Sequence, residues 1–568
     1  MLNAHVVYDY SVLDGQATRL LVLVLSYGAI VKGWSMVLDD VPVTIVGAGP
    51  VGLSMALALS RQGIASRVLE LKSTTTDHPK ARGVWVRAME IFRQWGVYEP
   101  IRARGLPDSS DSTVLMDGLE NELGRSAPEP FNDESPARKS VVAQDAVEEA
   151  LVWKLKEHPD ADIRWRTEFV GAEEFATGVR ISARNLETGE ELSWVSTYLI
   201  GADGGTRVVA QIAGIEYDGP PVMAVMSNVY FRADLRAYKS VHDAAGLFFR
   251  PEQQGGEVLG LLNTNGADRW LWISRIGTES DERERPPTPE ETIARLRKLI
   301  RKPDLPIEII NEGIWRMTRR IAQVFGKGRI FLVGDAAHRF PPFGGFGMNS
   351  GIQDVHNLAW KLAFVLRGVA SKGLLDTYDI ERRPIAHANA DIAMVNGARF
   401  PRMIEALASG NPDRIRFWLL DMANHTNSVG HTLGFVYDEG ALVSDGTTRP
   451  PYSPRFYHPT DRPGSRFPHF WLDSAHARSS LDLFDTELVL VHGPEADAWA
   501  SAAAEVSKRL SVPIISHRLA AADPAAGLAM GAKGAVLVRP DGIVAWRIGW
   551  VTGQPADDLA SVLERILN

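Results

Sequence analysis

The stretch PVTIVGAGPVGLSMALALSRQGIASRVLEL, residues 42–71, decides the fold. Val43 to Val46 is a short β-branched run, which predicts a buried strand. The apolar pattern that follows is helical as far as about Gln62, and Gly63 is suited to cap that helix. Arg67 to Leu71 then predicts a second strand. A strand, a helix and a second strand in this order are typical of a parallel α/β sheet.

Three glycines at the first turn point to a bound dinucleotide. Gly47 permits a tight turn, Gly49 lets a pyrophosphate approach the backbone, and Gly52 lets the helix pack on the strand. The helix N-terminus, at Pro50, offers free N–H groups to the phosphates. Glu70 lies in the second predicted strand, 23 residues past Gly47, where an acid can bind a ribose diol. The motif leaves NAD and FAD open, and a structural glycine-rich turn is the alternative interpretation.

Composition excludes several classes of function. The chain has 568 residues, a net charge of −9 and no long basic run, so nucleic acid is not an expected partner. It has no cysteine, which excludes disulfides, thiolate metal sites and thiol catalysis. Its 14 histidines show no metal-binding spacing. Redox chemistry would therefore need an organic cofactor, and a cytoplasmic location is expected.

Residues 1–35 are predicted to be a dispensable N-terminal extension. The apolar run from Leu20 to Val31 is shorter than the roughly 20 residues that span a bilayer. A signal-like segment after Arg19 and a membrane-associating segment stay open as alternatives. No stable membrane insertion is expected, and a chain that starts at Met36 is expected to fold and to bind the dinucleotide equally well.

Two later stretches resolve the choice of dinucleotide. They are YLIGADGGTRVVAQIAGI, residues 198–215, and GDAAHRFPPFGGFGMNSGIQDVHNLAWKL, residues 334–362. With the GxGxxG segment, and in this order, they resemble the three fingerprints of the FAD-dependent aromatic hydroxylases, the class A flavoprotein monooxygenases. The segments KARGVWVRAMEIFRQWG, VVAQDAVEEAL, LLDTYDIERRP and YHPTDRPGSRFPHFWL extend the likeness to the phenol-hydroxylase-like members, which carry a C-terminal thioredoxin-like domain.

The resemblance implies an α/β fold with three domains. A discontinuous Rossmann-type FAD-binding domain is expected over 36–216 and 315–400, with an inserted α+β substrate domain, a β-sheet, over 217–314. A helical segment and linker at 401–465 lead to a thioredoxin-like domain over 466–568. Lacking cysteine, that domain cannot perform disulfide chemistry, so packing or homodimerisation is its expected role.

The resemblance also assigns residues to FAD. Asp335 matches the acid that binds the ribityl chain, and the backbone N–H groups of Met348 and Asn349 match those that face the flavin edge, in a helix expected to begin near Ser350. Arg82 matches an arginine between flavin and the incoming nicotinamide, with a solvated charge as the alternative. The implied cofactor-binding residues are Gly47, Gly49, Pro50, Gly52, Glu70, Arg82, Gln144, Asp203, Asp335, Gly347, Met348 and Asn349.

Three residues are implied in catalysis, namely Arg82, Pro342 and Phe343. By resemblance the Pro342 carbonyl faces the substrate pocket. Phe343 departs from the family, which usually has threonine there, and its ring could narrow the pocket or stack on a flat substrate. The motif after Asp203 also departs, with Arg207 and Ala210 where the family has serine and arginine, which leaves the preference for NADH or NADPH open.

The expected activity is hydroxylation of a phenolic or polycyclic aromatic substrate, with NADPH or NADH as electron donor and O2 as co-substrate, through a flavin C4a-hydroperoxide. Strands in NVYFRADL, GLFFRP and RWLWIS are expected to cover the flavin. The candidate pocket residues are Tyr230, Phe248, Trp270, Trp272 and Phe343. No metal site is expected. Epoxidation or Baeyer–Villiger oxidation, a non-oxygenating FAD reductase and a degenerate flavin-binding scaffold stay open as alternatives.

Overall fold

The computed structural model describes most of the chain downstream of Met36. The described residues are 12–13, 16–17, 36–78, 81–129, 133–220, 222–238, 241, 244–251, 259–277, 288–520 and 528–568. Apart from two short strands, the predicted extension over 1–35 lies outside them.

Thirteen helices are found within these described ranges. They are α1 (Pro50–Arg61), α2 (Val86–Gln94), α3 (Tyr98–Arg102), α4 (Gln144–Leu155), α5 (Val208–Ile212), α6 (Pro289–Ile300), α7 (Phe346–Leu366), α8 (Gly373–Gly397), α9 (Phe400–Ser409), α10 (Pro412–Thr426), α11 (Val429–Leu433), α12 (Asp497–Leu510) and α13 (Pro555–Leu567).

The strands are β1 (Val12–Leu13), β2 (Gln16–Ala17), β3 (Met36–Val37), β4 (Val41–Val46), β5 (Ser66–Leu69), β6 (Thr113–Asp117), β7 (Asn121–Arg125), β8 (Ala161–Arg164), β9 (Thr167–Phe175), β10 (Gly178–Asn185), β11 (Glu191–Gly201), β12 (Tyr217–Asp218), β13 (Ala224–Arg232), β14 (Gly246–Phe249), β15 (Leu259–Asn263), β16 (Arg269–Gly277), β17 (Glu308–Met317), β18 (Arg320–Ala322), β19 (Gly326–Lys327), β20 (Ile330–Leu332), β21 (His338–Arg339), β22 (Leu488–His492), β23 (Ile514–Arg518), β24 (Ala535–Val538) and β25 (Val544–Ile548).

The first large sheet is the predicted Rossmann-type sheet. Its strand order is β19-β20-β11-β4-β5-β8, and β20, β11, β4, β5 and β8 run parallel. β4 is buried over Val43–Val46, as its β-branched sequence predicts. The helices α1 and α7 pack together beside this sheet. Because β4, β11 and β20 are parallel, their carboxyl ends lie at the same edge.

The second sheet has seven strands in the order β17-β13-β16-β15-β14-β6-β7. The three strands predicted from its aromatic sequences are confirmed as β13, β14 and β16. The sheet differs from the predicted segment 217–314, because β6 and β7 come from residues 113–125, ahead of it. They join because β6 pairs in parallel with β14, which extends the sheet from its edge.

Helix α6 covers one face of this second sheet. Thr288 and Glu291 form a capping box at its start, which satisfies backbone N–H groups that would otherwise lack partners. Its apolar side chains Leu296 and Ile300 are buried against Trp270 and Trp272 of β16. The opposite face of the sheet is therefore the one left for the FAD-binding domain.

The C-terminal domain has a four-stranded sheet in the order β23-β22-β24-β25. β22 and β23 are parallel and flank α12, whereas β24 and β25 are antiparallel, which is the β-α-β…β-β order expected from the sequence. The core formed by α12 and α13 includes Trp360 and Phe364 of α7. This domain therefore shares part of its core with the FAD-binding domain.

Buried charges join the same two domains. Glu381 on α8 accepts hydrogen bonds from both terminal nitrogens of Arg539, at 2.7 and 2.9 Å, and from Lys361 Nζ at 2.8 Å. All three side chains are fully buried. Burial alone would raise the pKa of Glu381, but Arg539 and Lys361 outweigh it and lower that pKa to about 2. The two domains are thus held by an ionic contact that excludes water.

Within the described residues, no helix has the length and apolar character needed to cross a membrane. The same residues contain no cluster of His, Asp or Glu side chains arranged to hold a metal ion.

Candidate functional site

The fingerprint residues lie at the carboxyl edge of the parallel sheet. Gly47 follows β4, Glu70 follows β5, Asp203 follows β11 by two residues, and Asp335 follows β20 by three. β4 lies between β5 and β11, and β11 lies beside β20. Ligands of open α/β sheets bind at this edge, so the topology gathers residues that are nearly 290 positions apart in the sequence into one cleft.

The glycines after β4 shape a backbone cradle. Gly47 has a φ of +104°, and a Cβ there would lie 2.5 Å from the Ala202 carbonyl oxygen. A Cβ on Gly52 would lie 1.9 Å from the Gly47 carbonyl oxygen. By contrast, a Cβ on Gly49 would meet no atom within 4 Å. The packing of the backbone therefore requires glycine at positions 47 and 52. Gly49, by contrast, faces open space that suits a pyrophosphate.

Gly49→Ala should therefore leave the fold intact and weaken FAD binding. Gly49 has an ordinary φ of −71°, so the backbone accepts alanine. A methyl group that crowds a bound ligand costs about 1–3 kcal/mol, and the dissociation constant of FAD should rise roughly five- to hundredfold. Fluorescence titration of the deflavinated protein with FAD measures this. Gly171→Ala, which also meets no atom within 4 Å, is the control, and equal FAD affinity in both variants would contradict the assignment.

Helix α1 begins at Pro50, and its N-cap residue is Gly49, which has no side chain to cap the helix. The first N–H groups of a helix lack backbone partners, so this end can hold an anion. Glu70 braces the turn from the next strand, because its carboxylate accepts from Ala48 N at 2.8 Å and from Lys72 N at 3.0 Å. Each carboxylate oxygen has a second lone pair, which leaves Glu70 able to accept from a ribose hydroxyl.

The second part of the cleft is the loop before α7, residues 333–345, which we call the flavin loop. This helix begins at Phe346, so the predicted start near Ser350 is wrong by about one turn. The loop ends at Gly345, which has a φ of +66°. The helix therefore begins earlier than its pattern of apolar residues indicates. Gly347 and Met348 therefore lie inside the first turn, where N–H groups have no intrahelical acceptor. Gly368, with a φ of +72°, follows the C-cap residue of the helix, Arg367.

Asp335 lies next to the first turn of α7. It is exposed, and one carboxylate oxygen is 3.4 Å from the Cβ position of Gly347. These two residues come from opposite ends of the loop, so a ligand that contacts Asp335 also reaches the N-terminus of α7. The geometry suits a polyol attached to a flat anionic ring, as in FAD.

Asn349 has a structural role that the sequence did not reveal. Its Oδ1 accepts from Trp85 N at 2.7 Å, and its Nδ2 donates to the carbonyl oxygens of Gly83 and Gly345 at 3.0 and 2.7 Å. The Trp85 indole also donates to Gly345 O at 3.2 Å. The side chain thus joins the first turn of α7 to the segment that carries Arg82.

Asp354 fixes the other end of the loop. Its carboxylate accepts from Gly334 N at 3.1 Å, contacts His338 Nε2 at 2.6 Å and accepts from Arg382 Nε at 2.8 Å. Burial would raise the pKa of Asp354, but His338 and Arg382 outweigh it and hold that pKa below its ordinary value. His338 is therefore an anchor for the loop. Asp354 lies on α7 and was not among the predicted residues.

Arg82 reaches across to the second sheet. Its guanidinium donates to the carbonyl oxygen of Ala245 and, at 3.0 Å, to that of Asn263. Removal from water lowers the pKa of Arg82 to about 10, against a smaller opposing effect of Asp111. Because it is held by backbone of the second sheet, the Arg82 side chain is ordered and is not the solvated charge of the alternative interpretation.

Two further predicted FAD contacts are held by local bonds. Gln144 begins α4, and its Nε2 donates to Glu148 Oε1 at 2.7 Å. Burial raises the pKa of Glu148, which also accepts from Thr76 N at 2.6 Å. Asp203 accepts from Val209 N at 3.2 Å, and burial raises its pKa too. Gln144 is thus oriented by its own helix α4, and Asp203 by the first turn of α5.

The second sheet presents alternate side chains to the FAD-binding domain. Tyr230 makes an edge contact with His78, with ring centroids 6.2 Å apart, and Phe248 packs 5.9 Å from Phe400. Trp270 and Trp272 point the other way, into the core beneath α6. The prediction of these two tryptophans as pocket residues is therefore wrong, since the two-residue period of a strand sends them to the opposite face.

Phe343 connects the flavin loop to the face of the second sheet that carries Phe248. Its ring lies 4.9 Å from Phe400, which in turn contacts Phe248. A Cβ on Gly397 would be 2.6 Å from the Phe343 ring, so the glycine makes room for it. The Pro342 carbonyl accepts from Gly345 N at 3.2 Å and closes the turn. Phe343, Phe400 and Phe248 form an apolar boundary, which we call the aromatic wall.

The matching family models cover both parts of this architecture. A model described as FAD binding domain matches residues 40–393, and one described as aromatic-ring hydroxylase, C-terminal, matches residues 460–568. The first contains the cleft, and the second contains the four-stranded domain that packs on α7.

Individual proteins are similar over nearly the whole chain. The tetracenomycin A2 monooxygenase-dioxygenase of Streptomyces glaucescens is 34% identical over 567 residues, covering 93% of this chain and 97% of the relative. The solved structure of the flavin-dependent monooxygenase PieE with FAD and substrate has a TM-score of 0.86 and 30% identity, covering 93% and 99% of the two chains. A ternary complex of aklavinone-11 hydroxylase with FAD and aklavinone has a TM-score of 0.79 and 31% identity, with the same coverage.

The cradle, the acid after β5 and the α7 turn fit FAD, and the family match agrees with them. The chain therefore belongs to the family of FAD-dependent aromatic hydroxylases.

Proposed function

We propose that the protein uses NADPH or NADH and O2 to hydroxylate a phenolic or polycyclic aromatic substrate. The observation that carries this proposal is the aromatic wall, which joins the flavin loop to the second sheet through ring contacts. A neighbour of similar fold holds aklavinone together with FAD, which supports an extended aromatic ligand.

FAD, when bound, supplies the electron transfer and oxygen activation that no side chain here can perform. The chain contributes a fixed partial positive charge at the N-terminus of α7. The first turn of α7 directs its N–H groups, including those of Gly347 and Met348, towards the cleft, and carries the positive end of the helix dipole. Negative charge placed against this turn is stabilised without any rearrangement of the protein.

The aromatic wall would exclude water and orient a flat substrate. Phe248 belongs to β14, Phe343 to the flavin loop and Phe400 to α9, so three elements meet around one apolar surface. Aromatic rings favour offset or edge contacts with a second ring, which positions a planar ligand. Tyr230 and the anchored Arg82 are the polar groups proposed to face it.

A parallel assay of oxygen uptake and nicotinamide oxidation tests this function. Purified holoprotein is mixed with NADPH or NADH and a panel of mono- and polycyclic phenols in an oxygen electrode. We expect substrate-stimulated consumption of both reagents and a hydroxylated product by mass spectrometry. Flavin reduction that proceeds without oxygen transfer to any phenol would instead indicate the non-oxygenating reductase.

Phe343→Thr should alter substrate use without altering FAD binding. The substitution removes one ring of the aromatic wall and restores the residue typical of the family. We expect an unchanged dissociation constant for FAD and a shift in substrate range or in the ratio of product to nicotinamide consumed. Phe417→Thr on α10, whose ring is 73% exposed, is the control. Loss of FAD from Phe343→Thr would show that the ring holds the flavin.

Two expectations remain predictions. One is a cytoplasmic location, and the other is homodimerisation through the C-terminal domain. The contacts of α12 and α13 with α7 support a packing role for that domain.

A further inference from the structure

A buried histidine, His431 on α11, contacts the first turn of α7. Its ring packs edge-on against Phe346, with ring centroids 5.1 Å apart and an interplanar angle of 71°. Its Nε2 also lies 2.8 Å from Oδ1 of Asn389 on α8, and Nδ2 of Asn389 donates to the Ser350 hydroxyl oxygen at 2.7 Å. We call His431, Asn389 and Ser350 the histidine chain.

The histidine chain is shielded from water, and its hydrogen bonds fix the tautomer of the imidazole. All three side chains are buried. Burial lowers the pKa of His431 to about 4, so its ring is neutral at neutral pH and carries one N–H. Because Asn389 Oδ1 is an acceptor, Nε2 donates to it, and Nδ1 accepts from the Tyr452 hydroxyl at 3.1 Å. Each nitrogen of the ring therefore has a partner.

The two contacts of His431 reach both ends of one helical turn. Phe346 is the first residue of α7, and Ser350 lies four residues further on. Residues four apart lie on the same face of a helix. His431 therefore supports one face of the turn at its start, by ring contact, and at its end, through Asn389. The N–H groups of Gly347 and Met348, which we propose to face the flavin, lie between these two points.

The first turn of α7 depends on such support because the backbone that leads into it is permissive. Gly344 and Gly345 have φ values of +117° and +66°, and Gly347 follows within the turn. Glycine restricts the backbone less than any other residue. Asn349 joins the turn to the segment before α2, whereas the histidine chain joins it to α8 and α11.

Helix α11, which carries the histidine, is itself held in place. The backbone N–H of His431 donates to Pro454 O at 3.1 Å. A Cβ on Gly430 would lie 2.3 Å from Ser453 O and 2.4 Å from Phe456 O, so the helix lies directly against the segment that follows it. Its apolar side chains belong to a small core with α2, made of Val86, Val429, Leu433 and Tyr457. The imidazole is thus placed by a fixed backbone.

We propose that His431 is a positioning residue for the flavin. Through Phe346, and through Asn389 and Ser350, it fixes the direction of the N–H groups in the first turn of α7. The electrostatic effect of a helix N-terminus falls off within that turn, so a displaced turn stabilises negative charge less. Its displacement should therefore disfavour the reduced, more negative form of the cofactor more than the oxidised form. The inference rests on the flavin placement proposed above, and not on hydroxylation of a phenol.

The midpoint potential of the bound flavin tests this role. His431→Phe keeps an aromatic ring beside Phe346 but removes both hydrogen bonds of the imidazole. We expect reduced flavin to bind about tenfold more weakly relative to oxidised flavin, which for a two-electron couple is a potential about 30 mV more negative. Reductive titration of the holoprotein against a reference dye measures this shift. His431→Gln keeps an N–H donor and should restore most of the wild-type potential.

His469→Phe is the matched control. The Nδ1 of His469 bonds to Ser479 Oγ at 2.8 Å, and its ring makes an edge contact with Trp471, with centroids 4.6 Å apart. This histidine has the same kinds of contact as His431, but it lies in the C-terminal domain. Its replacement should leave the flavin potential unchanged, whatever it does to the free energy of unfolding.

A second variant keeps the proposal testable if His431→Phe does not fold. Ser350→Ala removes the last acceptor of the histidine chain and only one oxygen atom, and it should shift the potential in the same direction. Where both variants fold, the double variant should shift the potential by less than the sum of the two single shifts, because both substitutions act through Asn389.

The proposal is overturned if His431→Phe and Ser350→Ala both keep the wild-type potential, or if their shifts add in full. It is also overturned if His431→Gln shifts the potential as far as His431→Phe, because the hydrogen bond would then be irrelevant.

Asp335→Ala separates these failures from a wrong placement of the flavin. If that variant loses FAD affinity while His431→Phe keeps its potential, the flavin lies at the α7 turn but His431 does not position it. If Asp335→Ala also binds FAD as the wild type does, the placement itself is wrong.

Discussion

Glu381→Ala is expected to lower the free energy of unfolding by about 3–5 kcal/mol. The substitution leaves Arg539 and Lys361 fully buried without their shared carboxylate. The Glu381 carboxylate also accepts from Ala441 N at 2.8 Å and Asn357 Nδ2 at 2.6 Å, and both donors would lose their partner. Because these groups belong to different domains, the variant should also loosen the contact of the C-terminal domain with α7 and α8.

Urea unfolding monitored by circular dichroism and by flavin fluorescence measures this loss. Glu405→Ala, at an exposed position of α9, is the control and should change stability little. If Glu381→Ala is as stable as the control, the buried contact does not hold the domains together.

The same carboxylate gives a pH dependence with a defined sign. The pKa of Glu381 is about 2 in the folded protein, against an ordinary value of 4.5. Its contribution to stability is therefore complete above pH 4.5 and is lost as the pH falls from 4.5 towards 2. The stability difference between wild type and Glu381→Gln should shrink over this interval, and a difference that stays constant would contradict the assignment.

Asp335→Ala is expected to weaken FAD binding about ten- to hundredfold. A hydrogen bond to a charged group contributes roughly 1.5–3 kcal/mol, and this variant removes the acceptor proposed for the ribityl hydroxyls. Since the Asp335 side chain is exposed, its removal should change the stability of the deflavinated protein little. The effect would then appear in ligand affinity alone.

Fluorescence titration with FAD compares this variant with Asp335→Asn, which keeps one acceptor oxygen and should lose less affinity. Asp376→Ala, an exposed acid in the first turn of α8, is the control. If Asp335→Ala binds FAD like the control while Phe343→Thr loses it, the loop presents its other side to the flavin.

The sequence predicted the parts of the site that local rules determine. The GxGxxG turn, the acid after the second strand and the parallel sheet follow from spacing and β-branched runs, and the structure has them. The start of α7 was misplaced, because the left-handed Gly345 ends the loop and the apolar stripe does not show it. The face of Trp270 was also missed, since aromatic content does not reveal which side of a sheet is covered.

Other features depend on contacts between distant segments. Asp354 and Arg382 are 28 residues apart and meet only because α7 and α8 pack together. Asn349 and Trp85 are separated by 264 residues, and His431 and Asn389 by 42. No local pattern distinguishes these residues from ordinary helix or strand surface, so tertiary structure is needed to find them.

The most direct measurement of the proposed hydroxylation is the origin of the oxygen in the product. The holoprotein is supplied with NADPH or NADH and the best substrate of the phenol panel under ¹⁸O₂, and the product is analysed by mass spectrometry. We predict that the new hydroxyl carries the heavy isotope and that catalase does not change the yield. A hydroxyl derived from water, or hydrogen peroxide as the sole reduced form of oxygen, would contradict the account.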